Sequence, residues 1–156
     1  MGLLSFLQKR EDFFSAEEKQ QVTAAIAAAE KRTSGEIRVY VESRCKYVEP
    51  LDRAAEVFHI LKMHETAQRN AVLVYIAYKD HQLAVFGDKG IHEKIGQESL
   101  NQSAAFVSQG VREGRPCEAL CEAIRKMGEV LSRHFPVTPG DTNELPDSVT
   151  TDETSL

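Results

Sequence analysis

Residues 70–78 read NAVLVYIAY, a nearly unbroken apolar run around which the rest of the predicted fold is arranged. It has the length of a strand, and its continuous apolar character is typical of a strand buried on both faces of a sheet. A short polar connection, residues 79–81, leads into a second apolar stretch at residues 82–86. The two stretches are therefore predicted to pair as an antiparallel hairpin.

An earlier strand and a helix precede this hairpin. Ile37, Val39 and Val41 alternate with more polar residues, which predicts a strand with one wetter face. Residues 51–61 then carry apolar side chains at helical spacing, and Pro50 suits the first turn of a helix. A strand, a helix and a second strand imply a right-handed parallel crossover. The sheet is thus predicted to contain a parallel pair and an antiparallel hairpin.

Helices are predicted on both sides of this central region. Ser15 and Glu18 have the spacing of a capping box, and the alanine-rich stretch after them predicts a first helix. Three further helices are predicted at residues 91–95, 103–111 and 116–134. The predicted fold class is α/β: a small mixed β-sheet flanked by helices, with the main elements in the order α-β-α-β-β-α-α.

Length and charge divide the chain into one domain and two flanking segments. A chain of 156 residues suffices for one core. We predict an N-terminal extension at residues 1–12, an α/β domain at residues 13–135 and a disordered acidic tail at residues 136–156. The tail has five acidic residues and no Lys or Arg, so the remainder is formally neutral. A neutral domain creates no general field for nucleic acid or an anionic membrane, and neither is expected as a partner.

The cysteines and the apolar runs indicate the compartment. Cys45, Cys117 and Cys121 are an odd number, and no secretory leader precedes them, so a disulfide framework is not expected. No run approaches the ~18 apolar residues of a membrane span. We therefore expect a cytoplasmic chain with no membrane span and no cofactor required for folding.

The predicted topology sorts the polar residues to two edges of the sheet. If the first two strands are parallel, Glu42 and Asp80 lie at the edge formed by their carboxyl ends. Glu36, Asn70 and residues 87–90 then lie at the opposite edge. Ligands of open α/β sheets usually bind beyond the carboxyl ends, which favours the Asp80 edge. A glycine-flanked turn leading into a helix offers backbone N–H groups to an anion, which favours the other edge.

These candidate residues also have ordinary structural interpretations. Residues 87–90, GDKG, match neither the dinucleotide nor the phosphate-loop glycine pattern, and the glycines could serve a turn by adopting positive φ. Asp80 also has the ordinary interpretation of a turn-forming residue. Glu36 can likewise be interpreted as a solvated residue at the start of a strand. Cys117 and Cys121 share a helix face and are interpreted as core residues rather than metal ligands.

Four stretches follow one another in a recognisable order: FSAEE at residues 14–18, TSGEI at 33–37, NAVLVYIA at 70–77 with Asp80, and GDKGIH at 87–92. In order and spacing they resemble the TPM domain. The founding members of this family are a thylakoid-lumen protein, a photosystem repair protein and a modulator of acetylcholine receptors. The chain is similar to its short cytosolic branch. The resemblance implies a mixed α/β sandwich with phosphatase activity.

The enzyme hypothesis is therefore hydrolysis of a phosphate monoester with a divalent cation, either Ca²⁺ or Mg²⁺. Carboxylate oxygens suit such hard cations, whereas Lys89 and the loop amides suit the phosphate. The predicted catalytic residues are Asp88, Lys89 and Glu36, with Gly87 and Gly90 in the binding loop. The predicted cation ligands are Asp88, Glu36 and Asp80.

The alternative hypothesis is a non-catalytic module for protein interaction or complex assembly. Such a module needs neither a nucleophile nor a metal. Its partner would be an unknown protein, in place of a small phosphorylated substrate, and the apolar residues 3–7 are a candidate contact patch.

Overall fold

The computed structural model of the chain describes residues 13–137 and 149–151. Within these ranges the chain forms five helices and four strands. The helices are α1 (Ala16–Glu30), α2 (Pro50–Ile60), α3 (Lys89–Lys94), α4 (Gln97–Arg112) and α5 (Pro116–His134). The strands are β1 (Glu36–Glu42), β2 (Ala71–Ala77), β3 (Gln82–Gly87) and β4 (Val149–Thr151).

The mixed sheet predicted from the sequence is confirmed. β1 and β2 run parallel, from the pair Glu36 and Ala71 to the pair Glu42 and Ala77, with α2 as the crossing helix. β2 and β3 are antiparallel neighbours. The order of the main elements is also as predicted. Helix α4 begins at Gln97, earlier than the expected residue 103, because its buried face already includes Leu100.

Helices cover both faces of the sheet. One face places Ile37, Val39 and alternate β2 residues in a core shared with α1, α4 and α5. The other face packs Tyr40, Leu73 and Tyr75 against α2, whose Phe58 is fully buried. All seven residues of β2 are buried, which confirms the strand predicted from the apolar run.

The wetter face predicted for β1 is covered rather than solvated. Tyr40 is 1% exposed and Glu42 is 7% exposed, because α2 of the crossover lies over this face. Alternation in sequence detects that two faces differ in polarity, but it does not detect a helix that carries partners for the polar side chains. One such partner is Arg53 on α2.

The predicted acidic tail contains an edge strand. Val149, Thr150 and Thr151 pair in parallel with Val39, Tyr40 and Val41, giving the sheet order β3-β2-β1-β4. We expected no regular structure at these three residues; the side chain of Val149 packs against the main core. The N-terminal extension 1–12 and the rest of the tail beyond residue 137 lie outside the described residues.

None of the helices in the described part of the chain combines the length and the apolar composition that crossing a membrane requires.

Candidate functional site

The sheet brings Glu36 and Asp88 to one edge and places Asp80 at the other. Glu36 pairs with Ala71 across the parallel strands, and the carbonyl oxygen of Ala71 accepts a 3.0 Å hydrogen bond from Asp88 N. We call this edge, where β1 and β2 begin, the amino edge. Asp80 follows β2 and lies at the carboxyl edge. The predicted catalytic residues therefore share an edge, whereas the three predicted cation ligands do not.

At the amino edge, Asp88 binds the guanidinium group of Arg69. Arg69 Nε donates to Asp88 Oδ2 at 2.6 Å, and Arg69 Nη2 donates to Oδ1 at 2.8 Å. The Asp88 side chain is 6% exposed, whereas the Arg69 side chain is 46% exposed. Hydrogen bonding to Asp88 raises the pKa of Arg69. A buried carboxylate thus holds a cation at the surface in a fixed, two-point geometry.

Sequence reasoning missed Arg69. Its position immediately before Asn70 places it at the start of the second parallel strand, and therefore at the same edge as the predicted Asp88 loop. That topological argument was available from the sequence and would have identified a cation near Asp88.

The glycines of the 87–90 loop serve close packing rather than positive φ. Neither Gly87 nor Gly90 is among the positive-φ residues of the described chain. A Cβ on Gly90 would lie 2.4 Å from Gln68 O, and a Cβ on Gly87 would lie 2.5 Å from Ile91 Cγ2. The interpretation that these glycines adopt positive φ in a turn is wrong. A side chain is excluded at Gly90 by nearby backbone atoms, and at Gly87 by the side chains of Ile91 and Leu100.

The backbone N–H groups of the same loop already have acceptors within the protein. Gly90 N donates to Arg69 O at 2.9 Å, and Lys89 N donates to Asp88 Oδ1 at 2.8 Å. Ile91 N and His92 N both donate to Asp88 O at 3.0 Å. In this conformation the amides form hydrogen bonds within the loop and to Arg69. Any anion at this edge would meet side chains, Arg69 and the exposed Lys89, rather than a main-chain cradle.

A partly buried polar cluster lies beside the Arg69–Asp88 pair. Ser34 Oγ accepts hydrogen bonds from Gln68 Nε2 at 3.0 Å and from Asn70 Nδ2 at 3.2 Å. Asn70 O accepts from Glu36 N at 3.3 Å, and Glu36 is 3% exposed. Asn70 Oδ1 is a buried acceptor that finds no donor among the described residues. The amino edge therefore combines a surface cation, a buried carboxylate and a buried acceptor.

At the carboxyl edge, Asp80 closes the loop that follows β1. Its two oxygens accept from Arg44 Nη1 at 2.8 Å and from Cys45 N at 2.7 Å. His81, the next residue, has a φ of 54° in the turn to β3. Asp80 lies in the turn between β2 and β3, but its carboxylate binds the loop after β1 rather than its own turn.

The buried carboxylate of Glu42 also lies at the carboxyl edge. Arg53 binds it with Nε and Nη2, each at 2.9 Å, and the hydroxyl of Tyr75 also donates to it. Burial, followed by the hydrogen bond to Glu42, raises the pKa of Tyr75. Polar groups buried together in this way satisfy one another, which is what a stabilising network requires.

The two cysteines that were predicted to share a helix face lie on α5, beside α1. Cys117 and Cys121 are free thiols, and Cys117 Sγ contacts Gln21 Oε1 at 3.3 Å. Burial raises the pKa of Cys117 to about 12. Cys117 belongs to the main core, with Cys121 packed against it, as the sequence analysis expected.

The carboxylates of the two edges do not form a common cation site. Asp88 and Asp80 are each bound by an arginine, and they lie at opposite ends of β2. Among residues 13–137 and 149–151, no group of three or more His, Cys, Asp and Glu side chains has an arrangement suited to a metal ion. The predicted set Asp88, Glu36 and Asp80 therefore does not fit one divalent cation in this structure.

Comparisons with known proteins agree on one family. The family model described as the TPM domain matches residues 7–130. The NMR structure of the BA42 protein from the psychrophilic bacterium Bizionia argentinensis is 36% identical, with a TM-score of 0.82. That match covers 90% of this chain and 97% of BA42. A search of the curated proteins finds no match.

Two more distant solved structures share the fold. The N-terminal domain of the cg2496 protein from Corynebacterium glutamicum is 14% identical, with a TM-score of 0.59, covering 84% of this chain and 80% of that domain. An N-terminal domain of a protein from P. gingivalis is 13% identical, with a TM-score of 0.64 and 78% coverage of each chain.

Proposed function

This chain belongs to the TPM-domain family, and we propose that it hydrolyses phosphate monoesters at the amino edge, with Arg69 as the phosphate-binding residue. The matching family model is named for a phosphatase. The observation that carries the proposal is the pairing of a half-exposed Arg69 with a buried Asp88. A guanidinium group held in a fixed orientation is suited to phosphate oxygens, because its planar fork matches their geometry.

The contacts of Arg69 support a different role for Asp88 from the one predicted. Asp88 accepts hydrogen bonds from Nε and Nη2 of Arg69, so Nη1 takes no part in the contact between the two side chains. In the proposal Nη1 and the exposed Lys89 bind the phosphate oxygens, and Asp88 positions Arg69. Gly87 and Gly90 permit the close loop packing that holds both residues.

The reaction is hydrolysis. A water oxygen attacks phosphorus, the ester P–O bond breaks, and the products are inorganic phosphate and the alcohol. The proton lost by the water ends on the leaving oxygen. Glu36, the buried carboxylate at the same edge, is the proposed carrier of that proton.

The test is a matched pair of arginine variants in a phosphatase assay with a chromogenic aryl phosphate. Arg69→Gln should lower kcat/KM by about 10²-fold, the size expected for removing one donor to the transition state. Arg44→Gln, which removes a similar aspartate-bound arginine from the carboxyl edge, should leave the rate within about twofold of the wild type. Equal rates in all three proteins would mean that the activity comes from a contaminant or from another site.

The same assay decides the predicted requirement for Ca²⁺ or Mg²⁺. A cation at Asp88 does not fit while Arg69 holds both carboxylate oxygens, so no step above uses one. A rate that is unchanged by EDTA would remove the cation from the proposal. A rate that depends on added Mg²⁺ or Ca²⁺ would show that the Arg69–Asp88 pair opens in the active protein.

The second candidate is a non-catalytic interaction or assembly module. The observation in its favour is that the 88–92 amides and both aspartates already have partners within the protein, as a stable scaffold requires. The two functions are distinguished by phosphate binding. If inorganic phosphate causes no NMR amide shifts near Arg69 and the wild type shows no hydrolysis, the module is favoured.

We also propose a cytoplasmic location. Its support is that Cys45, Cys117 and Cys121 are free thiols in the structure, as a reducing compartment would keep them. Cell fractionation with antibody detection tests this, and recovery in an oxidising compartment would contradict it.

A further inference from the structure

We propose that the cleft between α4 and α5 binds a medium-chain carboxylate, a ligand with an apolar chain of about ten carbon atoms and a single negative charge at one end. The chain would lie in the cavity between the two helices, and the carboxylate would lie against Lys126. None of the cleft residues takes part in the proposed phosphate site, so this proposal does not rest on the phosphatase proposal.

The cleft begins beside a close contact between α4 and α5. Near the turn that joins the helices, a Cβ on Gly110 would lie 2.1 Å from the Cβ of Ala119. Farther from this turn, towards the start of α4 and the end of α5, the side chains do not fill the space between the helices. The result is a cavity of about 310 Å³. Small-ligand sites range from about 300 to 1,000 Å³, so the cavity has the size of a small one.

Two helix faces and the sheet enclose this cavity. On α4 the lining residues run from Ser99 to Phe106, and on α5 they run from Ala123 to Leu131. In both helices they recur at intervals of three and four positions, so they lie on one face of each helix. Val72 of β2 also lines the cavity. The cleft therefore reaches from the surface of the helices to the buried sheet.

The inner part of the cavity is apolar. Val72 and Leu131 are fully buried, Leu100 is 3% exposed and Met127 is 6% exposed. Water has few hydrogen-bonding partners among such side chains, whereas an alkyl chain gains free energy by leaving water. At roughly 30 Å³ for each water-sized group, the cavity holds about ten such groups, which sets the chain length in the proposal.

The solvent side of the cleft carries an aromatic ring and a cation. Phe106 is 39% exposed and belongs to neither of the two buried core clusters. The ammonium group of Lys126 lies over this ring, 4.1 Å from its centroid. Both residues line the cavity, so the contact places a positive charge at the opening.

The charge of Lys126 is not neutralised by an ion pair. Arg125 binds both of the glutamates that lie about one turn away from Lys126 on α5, Glu122 and Glu129. Within the described part of the chain, Lys126 makes no ion pair of its own. An ammonium group acts as a compact point charge, which suits a single carboxylate. A monocarboxylate would therefore supply the missing negative charge while its chain fills the apolar cavity.

The test is a titration of the full chain with decanoate, below its micelle concentration, followed by NMR amide shifts. The shifts should cluster at residues 99–106 and 123–131. Decyltrimethylammonium, which has a similar alkyl chain but a positive charge, is the control ligand. It should bind at least about tenfold more weakly, because Lys126 repels its charge.

Two variants separate the charge from the cavity. Lys126→Gln should weaken decanoate binding about tenfold, the loss expected for one hydrogen bond to a charged group. Lys46→Gln removes an exposed lysine from the loop after β1 and is the matched control, with an affinity within about twofold of the wild type. Ser103→Phe keeps Lys126 but fills the cavity, and it should abolish binding. Because Lys126 is exposed, Lys126→Gln should fold as the wild type does and tests the proposal even if Ser103→Phe does not fold.

Three results would overturn the proposal. The first is a lack of decanoate shifts in the cleft, and the second is an equal affinity for decanoate and decyltrimethylammonium. The third is an unchanged affinity in Lys126→Gln. Shifts centred on Arg69 in place of the cleft would assign the carboxylate to the amino edge and would also contradict it. Every variant keeps Arg69, so the phosphatase assay is decided separately.

Discussion

Arg69 and Asp88 join the loop before β2 to the loop after β3 through two hydrogen bonds, of 2.6 and 2.8 Å. The pair is reinforced by the backbone, since Arg69 O also accepts from Gly90 N at 2.9 Å. The amino edge is therefore held by side-chain and main-chain contacts between the same two loops. Because Arg69 is half-exposed and its partner is buried, the contact both stabilises the edge and presents a cation at the surface.

Asp88→Asn should destabilise the protein more than Asp80→Asn. Asp88 is 5% exposed and accepts from both Arg69 and Lys89 N, whereas the Asp80 side chain is 24% exposed. We expect Asp88→Asn to lower Tm by about 3–8 °C, and Asp80→Asn to lower it by less. Thermal unfolding followed by circular dichroism checks this order. The reverse order would contradict a central role for Asp88 at the amino edge.

Gly90→Ala should destabilise the domain by about 1–3 kcal/mol, because the new Cβ overpacks a site that cannot relax freely. The clash is with backbone atoms, since the Cβ would lie 2.4 Å from Gln68 O and 2.7 Å from Arg69 O. Urea unfolding measures the loss. The neighbouring Lys89→Ala, at an exposed side chain, is the control and should change stability by less than about 0.5 kcal/mol. A neutral Gly90→Ala would show that the two loops are not in close contact.

Tyr75→Phe should cost about 1.5–3 kcal/mol, the range for a hydrogen bond to a charged group. The Tyr75 hydroxyl donates to Glu42 in a buried position, where Arg53 is the other partner. Tyr47→Phe is the control: the Tyr47 hydroxyl also donates to a glutamate, Glu56, but at an exposed site, so its effect should be smaller. Chemical unfolding of the two variants and the wild type gives both values. Similar effects for Tyr75 and Tyr47 would mean that burial adds nothing to the Glu42 network.

Stability should fall as the pH rises above about 9. Burial raises the pKa of Cys117 from 9.0 to about 12. A thiol in the unfolded chain ionises first, so the contribution is complete below pH 9 and is lost as pH rises towards 12. Unfolding free energies measured from pH 8 to pH 11 should therefore decline less steeply for Cys117→Ala than for the wild type. Parallel curves for the two proteins would contradict a buried thiol at this position.

Part of the candidate site followed from the sequence, because strand direction alone decides which segment ends meet. The parallel arrangement of residues 37–41 and 70–78 placed Glu36 with the Asp88 loop and Asp80 at the opposite edge, as the structure has them. The partners of these carboxylates did not follow. Arg69 and Asp88 are 19 positions apart, and which side chains pair across such a separation depends on loop paths that no local pattern encodes.

The fold class, the order of the main elements and the burial of β2 could be predicted from the sequence, because periodicity and apolar runs report locally on which faces leave water. Three features are visible only in the folded chain: Arg53 of α2 binds the buried Glu42, the loop amides are already bonded, and three tail residues add a strand to β1. These features arise where segments distant in sequence meet, so their energetics depend on through-space partners. The physical reason is that hydrogen bonds and ion pairs require a particular geometry, whereas hydrophobic burial requires a pattern.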